Sequence, residues 1–496
     1  MAAFILYTKP KKFKFMVIKK LIQNLILSST LFAVSPPSYG QAHNVSSGYQ
    51  KPTDPLVIKN IDDWQDMKFG LFMHWGTYSQ WGIVESWSLC PEDEDWTQRD
   101  PKHGKTYTEY VENYKNLQKT FNPTEFAPER WAKAAKYAGM KYVVFTTKHH
   151  DGFAMFDTKE SDYKITSLKT AFSSNPRANV TKEIFNAFRD ESFKIGAYFS
   201  KPDWSTDYYW WSYFPPKDRN VNYDPTKYPE RWKKYKDFTF NQIKELTSEY
   251  GKVDILWLDG GWVRPFKTID PTVEWQRTIQ VEQDIDMDRI GSMARNNQPG
   301  IIIVDRTVPG EWENYVTPEQ SIPDHTLTIP WESCITMGDS FSYVPNDNYK
   351  PTKKIIETLV KIISRGGNYL LNIAPGPTGD FDEAAYNRLE EIGSWMSINE
   401  NAVFRSRPIA PYHEDDYYYT KSKDDKNVFV FHLAEGEKYT TPSQYIFTIP
   451  ENFNVKEVKI LGNQGKLKWS IKDNKMIIQT PKKDFQYASV IVLKSK

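Results

Sequence analysis

Residues 146–153, Thr-Thr-Lys-His-His-Asp-Gly-Phe, set two imidazoles and a carboxylate side by side after the apolar run Tyr142-Val-Val-Phe145, in a chain with only eight histidines. Adjacent residues of a regular strand face opposite ways, so His149 and His150 cannot both ligate one ion while the strand stays regular. No H-x-x-x-H or C-x-x-C spacing supplies further zinc ligands. What remains for paired imidazoles is neutral hydrogen-bond work or general base catalysis.

Asp259 is the second candidate. It ends Val253-Asp-Ile-Leu-Trp-Leu-Asp259 and is followed by Gly260-Gly261. A charged residue closing so apolar a run is seldom there for packing. A helix-capping role does not fit, because the glycine pair does not continue as a helix. A single carboxylate beside tryptophans, with no cofactor motif near it, invites a search for a second, since cleavage of glycosidic bonds works with a pair. The chain after Arg306 offers Glu311, Glu313, Glu319 and Glu332.

These residues need elements to hold them. From about residue 60 a short apolar run, a polar residue at its end, a loop and an amphipathic stretch recur. The runs are Phe69 to His74, Tyr142 to His149, Ile195 to Ser200, Val253 to Asp259, Ile301 to Arg306 and Asn368 to Ile373. Helices are predicted between them at Pro128 to Ala138, Lys182 to Ser192, Arg231 to Tyr250 and Lys353 to Ser364. Near-continuous apolar strands alternating with helices predict a parallel sheet covered on both faces. A (β/α)8 barrel is favoured over an open doubly wound sheet. His74, His149, Asp259, Arg306 and Asn372 all end different strands, which is where barrels collect their chemistry, and no G-x-G-x-x-G follows a first strand. The barrel is expected over residues 55–402. From 403 to 496 the pattern changes to short alternating runs such as Val428-Phe-Val-Phe-His432 and Met476-Ile-Ile-Gln479, separated by turn residues. These predict an antiparallel β-sandwich, with bracing of the barrel as its default role and glycan binding as the alternative.

Composition narrows the partner. Lys plus Arg (64) nearly balances Asp plus Glu (63), which argues against nucleic acid or an anionic membrane surface and for a neutral ligand. Aromatics reach 15%, a texture suited to stacking on sugars. Cys90 and Cys334 are too few for a disulfide scaffold. Lys19-Lys20, the apolar run Leu21 to Val34 and the stretch Ser35-Pro-Pro to Gly40 follow the layout of an export signal over residues 1–40, with 41–54 as a linker and Met1 or Met16 as the start. The run is too short to span a membrane, so an exported, periplasmic or secreted protein without stable membrane insertion is expected.

Taken in order, Trp64-x-x-Met-Lys-Phe-Gly-Leu-Phe-Met-His-Trp-Gly76, Lys148-His-His-Asp-Gly-Phe153, Trp257-Leu-Asp-Gly-Gly261, Pro330-Trp-Glu332 and Gly366-Gly-Asn-Tyr-Leu-Leu-Asn-Ile-Ala-Pro375 resemble the α-L-fucosidases of glycoside hydrolase family 29 over roughly residues 55 to 400. The resemblance implies hydrolysis of fucosylated glycans with retention, through a covalent fucosyl-enzyme and without metal or cofactor. It implies Asp259 as nucleophile and Glu319 as acid/base, with Glu332 as the other candidate or a group that holds substrate or a neighbouring side chain. His74, His149 and His150 become partners of sugar hydroxyls, and Glu85 and Trp87 a sugar-binding pair. Tyr198, Trp257 and Arg306 become residues around the reacting centre. The family often has Glu-Trp adjacent, whereas this chain reads Glu85-Ser-Trp87. An apolar wall for the fucose methyl group is expected from Phe72, Trp75 or Phe341. A glycan-binding protein on an inactive barrel would lack a carboxylate, and a metal-dependent hydrolase would use His149, His150 and Asp151; chelation separates the latter from a glycosidase.

Overall fold

A computed structural model describes residues 48–91, 97–481 and 484–495. The export-signal segment 1–40 and the first part of the linker lie outside the described residues. Seven parallel strands, β1 (Phe69–Met73), β2 (Tyr142–Lys148), β3 (Lys194–Ser200), β4 (Ile255–Asp259), β5 (Ile302–Asp305), β6 (Glu332–Thr336) and β7 (Asn368–Asn372), form one curled sheet in the order β5-β4-β3-β2-β1-β7-β6. Six of them are the predicted runs. The strand β6, Glu-Ser-Cys-Ile-Thr, is too polar to read as one from sequence.

The gap between β5 and β6 is filled by irregular chain. Beside β5, residues 312–314 run antiparallel to it, with Asn314 N–H donating to the Ile303 carbonyl (2.9 Å). The chain then climbs parallel to β6, where Val316 bridges Trp331 and Glu319 bridges Cys334. This climbing segment brings Glu319 to the rim.

Helices α1 (Pro55–Met67), α2 (Tyr107–Thr120), α3 (Pro128–Tyr137), α4 (Val180–Asp190), α5 (Pro229–Ser248), α6 (Met287–Asn297), α7 (Thr352–Ser364) and α8 (Glu383–Val403) complete this part of the chain. The first of them plugs the barrel floor. Asp54 caps it by accepting from Leu56 N–H (2.8 Å), and its Val57, Ile61 and Trp64 join Phe72, Trp257 and Ile302 in the inner core. Trp64 stacks on Tyr315 with ring centroids 4.1 Å apart.

The C-terminal strands are β8 (Ser406–Glu414), β9 (Tyr417–Ser422), β10 (Asn427–His432), β11 (Gln444–Thr448), β12 (Val455–Ile460), β13 (Trp469–Lys472), β14 (Lys475–Gln479) and β15 (Ser489–Ser495). They form antiparallel sheets ordered β12-β15-β10-β9-β8 and β11-β14-β13. Phe429, Phe431, Val490 and Val492 share a core with the helices of the barrel, whereas Val428, Val430, Ile491 and Leu493 pack with Tyr445, Phe447, Met476 and Ile478 of the smaller sheet. Burial on both faces explains why β10 and β15 read as continuous apolar runs.

Candidate active site

The opening trio of histidines and aspartate divides once the chain leaves β2. The strand ends at Lys148 with a register shift between Thr146 and Lys148, which frees the next residues from strict alternation. His149 and His150 then lie together, ring centroids 4.1 Å apart. Asp151 turns outward, accepting from the Tyr114 hydroxyl (2.9 Å) of α2 and from Phe153 N–H. Lys148 likewise faces the helices, in a buried ion pair with Asp203 (3.0 Å). Both are scaffold for the loop rather than part of the site.

Asp259 is the last residue of β4 and keeps 14% of its side chain exposed. Gly260 follows with φ +89°, and a side chain there would meet the Pro202 ring at 2.2 Å, so only glycine makes this turn. Tyr198 donates its hydroxyl to Asp259 Oδ2 (2.7 Å), Arg306 Nη1 donates to Oδ1 (3.1 Å), and His150 Nε2 stands 3.9 Å from Oδ2. Burial by itself would raise this carboxyl. The charge of Arg306 and the Tyr198 hydrogen bond outweigh it and hold Asp259 well below the usual carboxylate range. Asp259 is therefore ionised at neutral pH.

Arg306 also bonds Glu319 Oε2 through Nη2, so one guanidinium fork holds two carboxylates from different rim segments. Its Nε donates to Thr317 Oγ1 (3.1 Å), and its Cζ lies 5.1 Å from the Trp257 ring centroid. Of the four glutamates after Arg306, Glu319 alone shares that guanidinium. Glu311 is at the surface with Arg295, and buried Glu313 accepts from Thr307 N–H (2.9 Å). Glu332 starts β6, two residues before Cys334, which Glu319 bridges, hence ~7 Å lower along the strand at ~3.3 Å per residue. It is fully buried and accepts from Tyr142, Tyr315 (3.2 Å) and Trp257 Nε1 (3.4 Å). Burial pushes it up to about 7. This corrects the expectation of a substrate-facing Glu332: it is a hydrogen-bonded group in the barrel floor.

The remaining rim residues surround Asp259. His74 follows β1 and its Nδ1 is 2.7 Å from Asn372 Oδ1 at the end of β7. Burial holds His74 down at about 4 and His150 at about 3, and pushes His149 well below the ordinary histidine value, so all three are neutral at pH 7. Trp87, Trp204 and Trp262 ring His150 at centroid distances of 5.2, 5.2 and 5.1 Å. Glu85 is buried with Oε1 unpaired among the described residues, and burial, reinforced by Glu319 and Asp259, raises it to about 7. Phe72 and Phe341 contact His74, and Trp257 lies beneath with Tyr198 stacked on it at 5.3 Å. Trp75 instead packs outside the sheet against Phe121, Phe126 and Trp131, which removes it from the pocket wall.

Sequence reasoning passed over Ser86, Ser200, Trp204 and Arg219. Ser86 was visible only as the extra residue of Glu85-Ser-Trp87. It bonds His149 Nδ1 (2.6 Å) and accepts from Asp151 N–H (2.8 Å). Arg219 lies over Trp87 and Trp262 from a long loop with no motif around it.

Ligand atoms of His149, His150 and Asp259 come within 4.8 Å of one another, the spacing of a possible metal triad. The donor set is poorly suited to a cation. Arg306 already sits 3.1 Å from Asp259 and would repel one.

A family model described as Alpha-L-fucosidase matches residues 38–401. The chain is 26% identical to an alpha-L-fucosidase of Dictyostelium discoideum, covering 85% of this chain and 87% of that protein, and 27% identical to the tissue alpha-L-fucosidase of Homo sapiens, covering 85% of each. Its fold is similar to that of alpha-L-fucosidase isoenzyme 1 from Paenibacillus thiaminolyticus, with TM-score 0.71, 26% identity and coverage of 89% of this chain and 100% of the other. It is also similar to a Bacteroides thetaiotaomicron alpha-L-fucosidase solved as a trapped covalent intermediate with 2-fluoro-fucosyl fluoride, with TM-score 0.69, 23% identity and coverage of 92% and 99%. The match over most of the chain makes this protein a member of the alpha-L-fucosidase family.

Proposed function

We propose that the protein is an exported, retaining exo-α-L-fucosidase that removes terminal fucose from fucosylated glycans, using Asp259 as nucleophile and Glu319 as acid/base. The observation that carries this reading is the Arg306 fork, which binds an oxygen of each carboxylate and keeps the pair close. Retaining glycosidases hold their two carboxyl groups about 5–5.5 Å apart, without room for a water between nucleophile and sugar. Asp259, held ionised by Arg306 and Tyr198, attacks the anomeric carbon. In this reading Glu319 is the acid/base: protonated in the substrate complex, where the departing oxygen takes the place of its Arg306 contact, it gives its proton to that oxygen and then takes one from the incoming water. The neutral histidines hydrogen-bond the sugar hydroxyls, and Phe72, Phe341 and Trp257 supply an apolar side for the methyl group.

A panel of aryl glycosides and fucosylated oligosaccharides tests the reading. Turnover confined to α-L-fucosides, with the α configuration retained in transfer products, supports it; turnover of another glycoside, or inversion, overturns it. A metal-dependent hydrolase at His149, His150 and Asp259 is the second reading, and activity that survives chelation excludes it.

A further inference from the structure

His74 and His149 are the same residue type in the same pocket, with ring centroids 5.7 Å apart, but their outer partners differ in chemistry. His74 Nδ1 faces Asn372 Oδ1 at 2.7 Å. The amide orientation is set by its other end, because Asn372 Nδ2 donates to the Phe341 carbonyl (2.7 Å). The oxygen is therefore the atom turned to His74, and it can only accept. Nδ1 of His74 must carry the proton, which leaves Nε2 as a bare lone pair.

His149 Nδ1 faces the hydroxyl of Ser86 at 2.6 Å. That oxygen already accepts from Asp151 N–H (2.8 Å) in a fully buried position. Giving its own proton to His149 Nδ1 satisfies every group present. Accepting a second proton would strand a buried O–H, at a cost of about 1–3 kcal/mol. His149 Nδ1 is then the acceptor, and Nε2 carries the hydrogen. Both side chains keep 5% exposure, and among the described residues no protein partner bonds Nε2 of either.

We infer that Asn372 and Ser86 are positioning residues that fix His74 and His149 in opposite neutral tautomers, so that the pocket offers one ring acceptor and one ring donor to the hydroxyls of its ligand. His74 takes a hydroxyl proton and His149 gives one. Ser86, the residue that separates Glu85 from Trp87 in this chain, has this task. The consequence for substrate rests on the sugar-site reading above, but the tautomers do not.

Nitrogen NMR of the full-length enzyme labelled with 15N-histidine decides the matter, the signals being assigned by the loss of one set in His74→Asn and in His149→Asn. The expected spectra show a protonated Nδ1 and bare Nε2 for His74, and the reverse for His149. Two rings in the same tautomer, or His74 protonated on Nε2, would overturn the inference. Asn372→Ala should move His74 toward the Nε2-protonated form, and Ser86→Ala should leave His149 exchanging between forms; unchanged spectra in both variants also count against it. With an aryl fucoside, each variant should raise KM by roughly 5- to 10-fold, the loss of about one hydrogen bond. The wild-type spectra stand as the test whether or not fucosides are turned over, so failure of the function and failure of the tautomers are separable.

Discussion

At the scale of single residues, the account rests on what each charged group is surrounded by. Asp259→Gly should abolish turnover of an aryl α-L-fucoside while the protein still melts cooperatively, and azide should restore some activity with inverted configuration by filling the vacated space. Wild-type rates in this variant contradict the assignment. Glu85 provides a pH signature. Its folded value of about 7 lies above the ~4.3 of an unfolded chain, so the folded state holds the extra proton and stability falls as pH rises from about 4 to about 7. His74 has the opposite sign. Lowered to about 4 from ~6.5, it makes the unfolded chain the first to protonate, so stability is lost as pH falls through that window. Glu85→Gln, permanently neutral, should flatten the decline between about pH 5 and 7 in thermal melts and remove an ionisation near 7 from the kcat/KM profile. Superimposable wild-type and variant curves would show that Glu85 does not titrate there. Asp259 was legible as a candidate because a carboxylate at the end of an apolar strand is chemically conspicuous. Ser86 was not, because a serine announces nothing until its hydroxyl is seen between His149 and Asp151.

At the scale of elements, the choice between Glu319 and Glu332 becomes one of height in the barrel. Glu319 is at the rim on the segment that climbs beside β6, and Glu332 is at the foot of β6 itself. Glu319→Ala should cripple hydrolysis of oligosaccharides yet spare the first step on aryl fucosides with acidic phenols, with azide giving a product of retained configuration. Glu332→Ala should instead destabilise the fold, because the Tyr142 and Tyr315 hydroxyls and the Trp257 N–H lose a buried acceptor, each at about 1–3 kcal/mol. Its residual activity should not depend on the leaving group. Leaving-group dependence and azide rescue at Glu332, with neither at Glu319, would reverse the assignment. Sequence could name both glutamates but not separate them, since β6 does not read as a strand and Pro330-Trp-Glu332 looked like a rim motif. The helices α1, α2, α6 and α8 were also missed. The plug α1 was absorbed into the motif around Trp64, although its residues fill the barrel floor.

At the scale of the whole molecule, the strands β10 and β15 of the larger C-terminal sheet are buried on both faces, one against the helices of the barrel and one against the smaller sheet. Trp395 of α8 donates to the Ala488 carbonyl (3.2 Å), and Arg407 pairs with Asp62 and Asp66 of α1. This packing favours the bracing role. A chain ending at 403 should aggregate or melt at lower temperature than the full protein; an equally stable, active truncation would contradict it. The alternating patterns of β11, β12 and β14 made the sandwich legible, and the continuous runs of β10 and β15 already carried the sign of a second buried face. Cys90 and Cys334 are buried and form no disulfide, so reductant should leave the melting temperature unchanged. A reductant-sensitive melt would point to a pairing this fold does not contain.

The central claim is that Asp259 forms the covalent bond to fucose. Incubating the enzyme with 2-fluoro-fucosyl fluoride, digesting it and sequencing the labelled peptide by mass spectrometry tests it most directly. The account predicts one fluorofucosyl group, attached to the Asp259 carboxylate in the tryptic peptide spanning Val253 to Lys267 and absent from Asp259→Gly. A label on any other side chain, or an active enzyme that accumulates none, would contradict it.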